Sequence, residues 1–471
     1  MINTPKRTGP SVRSMAIESS PHILGTESIR KLLTQYTIPA IVAMTAISLY
    51  NMVDSIFIGQ GVGAMAISGL ALTLPLMNLM AAFGSMVGLG ASAIMSIKLG
   101  QKDNKSAREI LGNVVLLNTI IGISLAAVCS LFLDDILHLF GGSEQTLPYA
   151  RDYMRILLIG NVFTHLYMGM NDLMRASGHP TKAMTIIIAT VLLNALLDWL
   201  FIFIFDWGIK GAAWATVIAQ VTAMGIEIAH FANPGRFIHF SRGIFRLKAT
   251  VVKGILSIGL SPFLMNVCAS IVVIFINTAL KEHGGDLYIG AYGIIHRIAF
   301  LFLMIVMGIN MGMQPIVGYN YGARKFERVK KVLKLGMVAA VGVTATGFVI
   351  AHAIPGFVVG LFTTDPTLLE VAGHGIMIAF MAFPIVGFQM VVSNFFQSIG
   401  KAKLAIFMSL TRQMIFLLPL LVVLPGRFGA DGVWMSLPIS DCAATILAAV
   451  LIARQMRIFR QMAAEDSAAL Y

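Results

Sequence analysis

Residues 192–205 read LLNALLDWLFIFIF, and twelve of these fourteen residues are apolar. The two exceptions, Asn194 and Asp198, are four positions apart and therefore share one face of a helix. A stretch this apolar belongs inside a membrane or a deep core, where a carboxylate is unfavourable unless it is paired or has a function. The rest of the chain has to explain why Asp198 is there.

Composition places the chain in a membrane. Only 12% of its 471 residues are charged and 57% are hydrophobic, whereas about 25% of the residues in soluble proteins are charged. The apolar runs are continuous and reach the roughly 20 residues that a spanning helix needs, which favours helices over the alternating strands of a barrel. We predict an all-α integral membrane protein with twelve transmembrane helices. These helices are expected near residues 32–58, 68–97, 110–139, 152–175, 181–205, 209–232, 250–280, 288–319, 329–362, 371–397, 402–425 and 431–455.

The basic residues indicate the orientation of the chain. Of the 34 Lys and Arg residues, 27 lie on the side of the predicted chain termini, five lie on the opposite side, and two lie inside helices. Because cytoplasmic loops of membrane proteins are rich in Lys and Arg, both termini are predicted to be cytoplasmic. This distribution accounts for the net charge of +12 without nucleic acid. Residues 1–28 are polar, so no cleavable signal peptide is expected.

The two halves of the chain repeat. RASGHPTKA (175–183) aligns with QSIGKAKLA (397–405) at an offset of 222 residues, and the same offset matches Gly100 to Gly322. A repeat of six helices predicts two six-helix lobes related by a pseudo-twofold axis along the membrane normal, with a cleft between them. The predicted domains are an N-terminal cytoplasmic tail (1–30), an N-lobe (31–232), a cytoplasmic linker (233–249), a C-lobe (250–455) and a C-terminal cytoplasmic tail (456–471).

Polar residues in three helices of the N-lobe are predicted to lie at one depth. At 1.5 Å per residue, Asp54 and Thr216 lie roughly 9 Å, and Asp198 about 12 Å, from the outer helix ends. Asn194 is one turn from Asp198, and Tyr50 one turn from Asp54. Two neighbouring carboxylates cannot both stay ionised easily in a medium of low dielectric, so this cluster could bind a proton or a Na⁺. Alternatively, these residues only join helices through hydrogen bonds.

The C-lobe has a different set of intramembrane polar residues. Arg297 and Asp441 are each roughly 15 Å from the outer end, and Arg412 is about 22 Å from it, at a depth similar to that of Gln389. We expect a buried arginine–aspartate pair that is structural or gating, or a direct contact of these residues with substrate.

Two acidic residues and many methionines complete the predicted interior. Asp172 and Glu227 fall near cytoplasmic helix ends and are expected to reach the membrane interface. The 29 methionines include MNLMAAFGSM (77–86) and LMIVMGINMGM (303–313). Adaptable methionine walls suit varied apolar ligands, although ordinary lipid-facing and core packing is the more common reason for such methionines.

Four motifs carry a resemblance to a known family. YNMVDSIFIG (50–59), LLNALLD (192–198), QPIVGYNYGARKFERVKK (314–331) and NFFQSIGKAK (394–403) occur in this order. Together they resemble the multidrug and toxic compound extrusion (MATE) family, in particular its branch with the DNA-damage-inducible and MepA-type transporters. The resemblance covers the chain from about residue 30 to about residue 455.

The resemblance implies a V-shaped transporter with a coupling-ion site in the N-lobe. The positions that match this site are Asp54, Asn194, Asp198, Thr216 and Tyr50. Another branch of the family has an acidic residue in helix 7, but residues 261–280 of this chain contain none. A C-lobe cation site of that kind is therefore not expected here.

The expected function is secondary active multidrug efflux by alternating access of the two lobes. Organic compounds, often cationic and amphipathic, would leave in exchange for H⁺ or Na⁺. We expect no catalytic residue, no cofactor besides the coupling ion, and no metal besides a possible Na⁺ at Asp54, Asp198, Asn194 and Thr216. The expected partners are small drug-like molecules and the lipid bilayer, with no nucleic acid, and the chain is expected to act as a monomer in the bacterial inner membrane. The alternatives are a lipid-linked-sugar flippase of the same superfamily and a membrane-embedded enzyme.

Overall fold

A computed structural model describes residues 21–140 and 142–468, and this described part of the chain is α-helical with no β-strand. Most of the predicted N-terminal tail, residues 1–20, and the last three residues of the predicted C-terminal tail lie outside it. Twelve helical segments, α1 to α12, run back and forth through the molecule. Their bounds are α1 Ile29–Gly61, α2 Ala64–Gly100, α3 Asn104–Leu131, α4 Leu147–Ala176, α5 Pro180–Trp199, α6 Gly208–Ala232, α7 Ala249–Gly284, α8 Asp286–Gly322, α9 Phe326–Ala353, α10 Pro366–Ala379 with Phe383–Ser398, α11 Ala402–Leu410 with Leu418–Val423, and α12 Ala430–Ala468.

Most of these segments are long and apolar enough to cross a membrane. Among the described residues, ten helices meet this requirement on their own, and the two parts of α10, bent by 54° relative to each other, form an eleventh span. The remaining segment, α4, has 30 residues, but Arg151, Asp152, Arg155, Asp172 and Arg175 lower its hydropathy. With α4 the segments number twelve, as predicted, and the fold is that of an all-α membrane protein. Two segments contain π-helical turns, Leu200–Ile204 after α5 and Thr411–Leu417 within α11.

The two halves meet through two helix pairs that are equivalent under the sequence repeat. Helix α2 packs against α7, and α1 packs against α8. A Cβ atom on Gly100 would lie 2.0 Å from the carbonyl oxygen of Tyr319, and one on Gly322 would lie 2.1 Å from that of Ile97. Since Ile97 and Tyr319 are also 222 positions apart, the two contacts are copies of each other. The lobes are therefore related by a pseudo-twofold axis that passes between these glycines.

The lobes touch at one end of the molecule and separate towards the other. We call the end with Gly100 and Gly322 the terminal end, because both described chain ends lie there, and the opposite end the far end. On α8, Gly308 and Gly312 pack against the α1 backbone. Towards the far end the same stripe of α8 is exposed at Arg297 and Leu301. The structure thus has a cleft that is closed at the terminal end and open at the far end.

A short segment before α1 straps the terminal end. This strap, Pro21–Gly25, forms a 3-10 turn, and its carbonyl groups bind side chains of the C-lobe. Asn320 Nδ2 donates to Leu24 O at 2.9 Å, and Lys325 Nζ donates to Gly25 O at 2.8 Å. Arg328 Nη2 donates to Leu24 O and Glu27 O at 3.0 and 2.7 Å. Because the strap continues directly into α1, these bonds join the two lobes.

We expect Arg328→Ala to loosen the strap. The substitution removes one hydrogen bond from a charged group to the strap, at Leu24 O, and one to Glu27 O just after it, each worth about 1.5–3 kcal/mol. Amide hydrogen exchange at residues 22–28 should become at least tenfold faster, as measured by mass spectrometry, while exchange in α6 stays unchanged. Lys331→Ala, at an exposed position of the same helix, should leave the exchange of residues 22–28 unaltered. Equal rates in the two variants would mean that Arg328 does not hold the strap.

Candidate functional site

The polar residues predicted at one depth in the N-lobe form one cluster. The Tyr50 hydroxyl shares a hydrogen bond of 3.0 Å with the Thr216 hydroxyl, which also accepts one of 3.2 Å from Asn194 Nδ2. Thr216 in turn donates to Ala212 O at 3.1 Å. Helices α1, α5 and α6 thus meet at these side chains. Asp54 and Asp198 lie one turn further along α1 and α5, on the same helix faces.

The carboxylates of this cluster are buried, and three of their four oxygens have no hydrogen-bond partner. Asp198 is 0% and Asp54 6% exposed. Asp54 Oδ1, both carboxylate oxygens of Asp198 and Asn194 Oδ1 are buried without a hydrogen-bond donor. Among the described residues, neither aspartate takes part in an ion pair. A carboxylate is unfavourable in such surroundings unless a proton or a cation neutralises it. The oxygen atoms present suit either a proton or a small hard cation such as Na⁺.

One member of this cluster was missed in the sequence. Tyr153 of α4 is 1% exposed and lies within interaction range of Asp54, Asp198 and Thr216. It is six residues from the start of α4, so the depth estimate used for the other residues places it at roughly 9 Å as well. The predicted start of this helix at residue 152 instead placed Tyr153 at the outer end, so the depth estimate could not group it with the others until the true start at Leu147 was known.

A cavity lies between the lobes, just beyond their contact at the terminal end. Its volume is about 310 Å³, and it is lined by α1, α2, α7 and α8, which form the main contacts between the lobes. Ile47 of α1 and Ile187 of α5 form part of its wall, on the helices that also carry Asp54 and Asp198. Seven methionines contribute to its surface: Met44, Met168, Met265, Met307, Met311, Met390 and Met408. The cavity is therefore a pliable, largely apolar chamber, and the buried Asp54 and Asp198 lie about 10 and 16 Å further along α1 and α5 than these wall residues.

Comparison with known proteins fits this arrangement. A family model of MatE matches residues 39–200 and 258–423 of the chain, which is more than half of its length. The chain belongs to the MatE family. The two matched stretches cover α1 to α5 and α7 to α11, the corresponding helices of the two lobes.

Relatives of this MatE chain extend over nearly its whole length. "Multidrug export protein MepA" of Staphylococcus aureus strain NCTC 8325 is 28% identical over 434 residues, covering 91% of this chain and 94% of that protein. The protein of the same name from Staphylococcus saprophyticus is 26% identical over 432 residues, with the same shares covered. A solved structure of the MATE multidrug transporter DinF-BH is 36% identical, with a TM-score of 0.84, and covers 92% of this chain and 98% of that one.

The polar residues predicted for the C-lobe of this MatE chain divide into two groups. Arg412 and Gln389 line the cavity. Asp441 accepts a hydrogen bond of 2.7 Å from Arg412 Nε, and its side chain is 10% exposed. Arg297, at the same predicted depth as Asp441, is instead exposed on the cleft side of α8. The depth estimate could not separate the two arginines, because it takes no account of the direction in which a side chain points.

We expect the Arg412–Asp441 pair to stabilise the C-lobe. Arg412→Leu leaves a buried carboxylate without a cation, which costs about 3–5 kcal/mol, so the melting temperature in detergent should fall by several degrees. The double variant Arg412→Leu/Asp441→Leu should recover most of this loss. Arg297→Leu is the control, because no ion pair in the described part of the chain involves Arg297. A double variant as unstable as the single one would show that the pair is not the cause.

The expectation that Asp172 and Glu227 reach the membrane interface is wrong. Asp172 is 8% and Glu227 0% exposed, and both belong to one buried network. Asp172 forms an ion pair with Arg175, which donates to Asn171 Oδ1 at 2.6 Å. Asn171 Nδ2 donates to Glu227 Oε1 at 2.9 Å. Helix ends that look superficial along the chain are covered here, because the strap, the linker and the other lobe pack over the terminal end.

Proposed function

We propose that this MatE-family protein is a secondary active multidrug exporter, which moves organic, drug-like compounds out of the cell in exchange for H⁺ or Na⁺. The observation that carries the proposal is the pliable cavity between the two lobes, on helices that also carry the buried carboxylates of Asp54 and Asp198, three of whose four oxygens lack hydrogen-bond partners. The relatives are named as multidrug export proteins and a multidrug transporter, which supports the same reading.

In this proposal, Asp54, Asp198, Asn194, Thr216 and Tyr50 form the coupling-ion site. A proton or Na⁺ bound there removes the uncompensated charge and favours one packing of α1, α5 and α6, whereas the empty and ionised site favours another. Because a ligand shifts a conformational equilibrium only by its different affinity for the two states, ion and substrate must prefer different lobe arrangements.

The lobes and their orientation complete the proposal. We take residues 31–232 and 250–455 as the two moving lobes, joined by residues 233–249. The excess of Lys and Arg on the terminal side supports a cytoplasmic position for that side. The described state, open at the far end, would then face outwards. The chain is a multi-pass protein of the bacterial plasma membrane, and we propose that it acts as a monomer without a catalytic centre or a further cofactor.

Transport in proteoliposomes tests the function. The purified protein is reconstituted with a fluorescent organic cation such as ethidium, and pH and Na⁺ gradients are imposed one at a time. We expect either the pH gradient or the Na⁺ gradient to drive ethidium transport against the ethidium concentration gradient. Protein-free liposomes should show no such transport. Movement that follows only the ethidium gradient under both conditions would contradict antiport. Transport of lipid-linked sugars without any ion gradient would favour a flippase.

A further inference from the structure

A second charged network lies on the N-lobe wall of the cavity, away from the coupling-ion cluster. Asn171, Asp172 and Arg175 of α4 line the cavity, and Glu227 of α6 lies directly behind Asn171. Glu227 is about 11 residues, or roughly 16 Å along α6, from Thr216 of the coupling-ion cluster. The two sets of carboxylates therefore belong to different sites.

Arg175 is shared between two carboxylates. It pairs with Asp172 on the cavity side, and through Asn171 it is connected to Glu227 on the buried side. Glu227 Oε2 has no hydrogen-bond partner, although the residue is fully buried. One arginine cannot neutralise two carboxylates, so the network is electrically neutral only when one acid is protonated. Since Asp172 holds the arginine, the proton belongs on Glu227.

The neighbouring titratable groups do not change the net charge of this network. Lys182 Nζ lies 2.9 Å from His230 Nδ1, at the terminal ends of α5 and α6. Burial, together with the charges of Arg236 and Lys182, lowers the pKa of His179 to about 4, so this histidine is neutral at physiological pH. Tyr167 of α4 is the remaining titratable side chain that faces Glu227. Among these groups, only Asp172 and Arg175 share a hydrogen-bonded network with Glu227.

We propose that this network exchanges a proton for a monovalent organic cation in the cavity, which rests on the proposed export function. The cation binds the Asp172 carboxylate, and Arg175 turns from Asp172 towards Glu227. The O–H bond of Glu227 then breaks, and its proton passes to water. The network carries no net charge before this step, and together with the bound cation it carries none afterwards. Entry of a cation is thereby linked to loss of one proton.

Binding measurements over a range of pH test the exchange. Tetraphenylphosphonium is titrated into the protein in detergent between pH 6 and 8. If n protons leave on binding, the affinity rises 10ⁿ-fold per pH unit, and a weakly buffered solution with an indicator dye counts the same n directly. We expect Glu227→Gln to reduce n by one, which is a tenfold smaller change in affinity per pH unit. Glu370→Gln, at an exposed position of α10, should keep the wild-type value.

The outcomes separate this proposal from the proposed function. No binding of tetraphenylphosphonium to the wild-type protein would count against export of organic cations as a whole. Binding with the same n in wild type and Glu227→Gln would overturn the role of Glu227 alone. If Glu227→Gln does not fold, Asn171→Leu, which cuts the connection between Arg175 and Glu227, replaces it. An unchanged n in that variant overturns the proposal equally.

Discussion

Asp198→Asn should abolish ion-driven export while leaving the protein folded in the membrane. Asparagine has nearly the same shape as aspartate but can neither release a proton nor offer a charged ligand to Na⁺. Because both carboxylate oxygens of Asp198 are buried without donors, the substitution removes no hydrogen bond and relieves an unfavourable burial. We therefore expect transport to fall to the background of protein-free liposomes, with an unchanged or higher melting temperature.

Transport and melting temperature together show whether Asp198 binds the coupling ion or only holds helices together. If Asp198 only joined helices through hydrogen bonds, its substitution would lower the melting temperature by the loss of those bonds, about 1–3 kcal/mol, and transport would persist in the folded fraction. Asp135→Asn, at an exposed carboxylate between α3 and α4, is the matched control and should transport like wild type. Full ion-driven export by the Asp198→Asn variant would show that Asp198 is not part of the coupling-ion site.

The N-lobe cluster could be predicted from the sequence because the position of a residue along a membrane helix gives its depth in the bilayer. A helix that crosses a bilayer has a fixed rise per residue and two defined ends, so depth follows from counting. Charge in such a helix is rare enough to be informative. This reasoning grouped Asp54, Asp198 and Thr216 at one depth, and helical periodicity placed Tyr50 and Asn194 one turn away. The hydrogen bonds of Tyr50 and Asn194 to Thr216 are seen only in the structure.

The depth of a residue does not predict its contacts when these depend on the direction of the side chain or on a local distortion of the helix. Arg297 and Arg412 differ in the face of the helix on which they lie, and a π-helical turn at Thr411–Leu417 shifts the faces of α11. Glu227 looked superficial because it is close to a helix end, yet α4 and α5 pack against α6 and bury it. The pairing of Asp172 with Arg175 was available from their spacing of three residues, but its connection to Glu227 required the relative positions of α4 and α6.

Gly322→Leu should prevent the terminal end from closing. Even a Cβ atom at this position would lie 2.1 Å from the carbonyl oxygen of Ile97, and the contact is with backbone, which cannot move aside as a side chain can. On an isolated helix the same change is favourable by about 0.8–1 kcal/mol, so α8 itself should form. The variant should therefore be folded, but shifted away from the described state.

A cysteine in the cavity reports this shift. Gln397→Cys is introduced after Cys129, Cys268 and Cys442 have been replaced, and a membrane-impermeant thiol reagent is applied to vesicles from the terminal side. Closure should protect the cysteine when Gly322 is retained, and Gly322→Leu should speed its labelling at least tenfold and suppress export.

Gly342→Leu is the control, since nothing lies within 4 Å of a Cβ atom there. The repeat predicts the same result for Gly100→Leu, because Gly100 makes the corresponding contact with Tyr319. Protection that persists in both variants would show that closure does not depend on these two contacts.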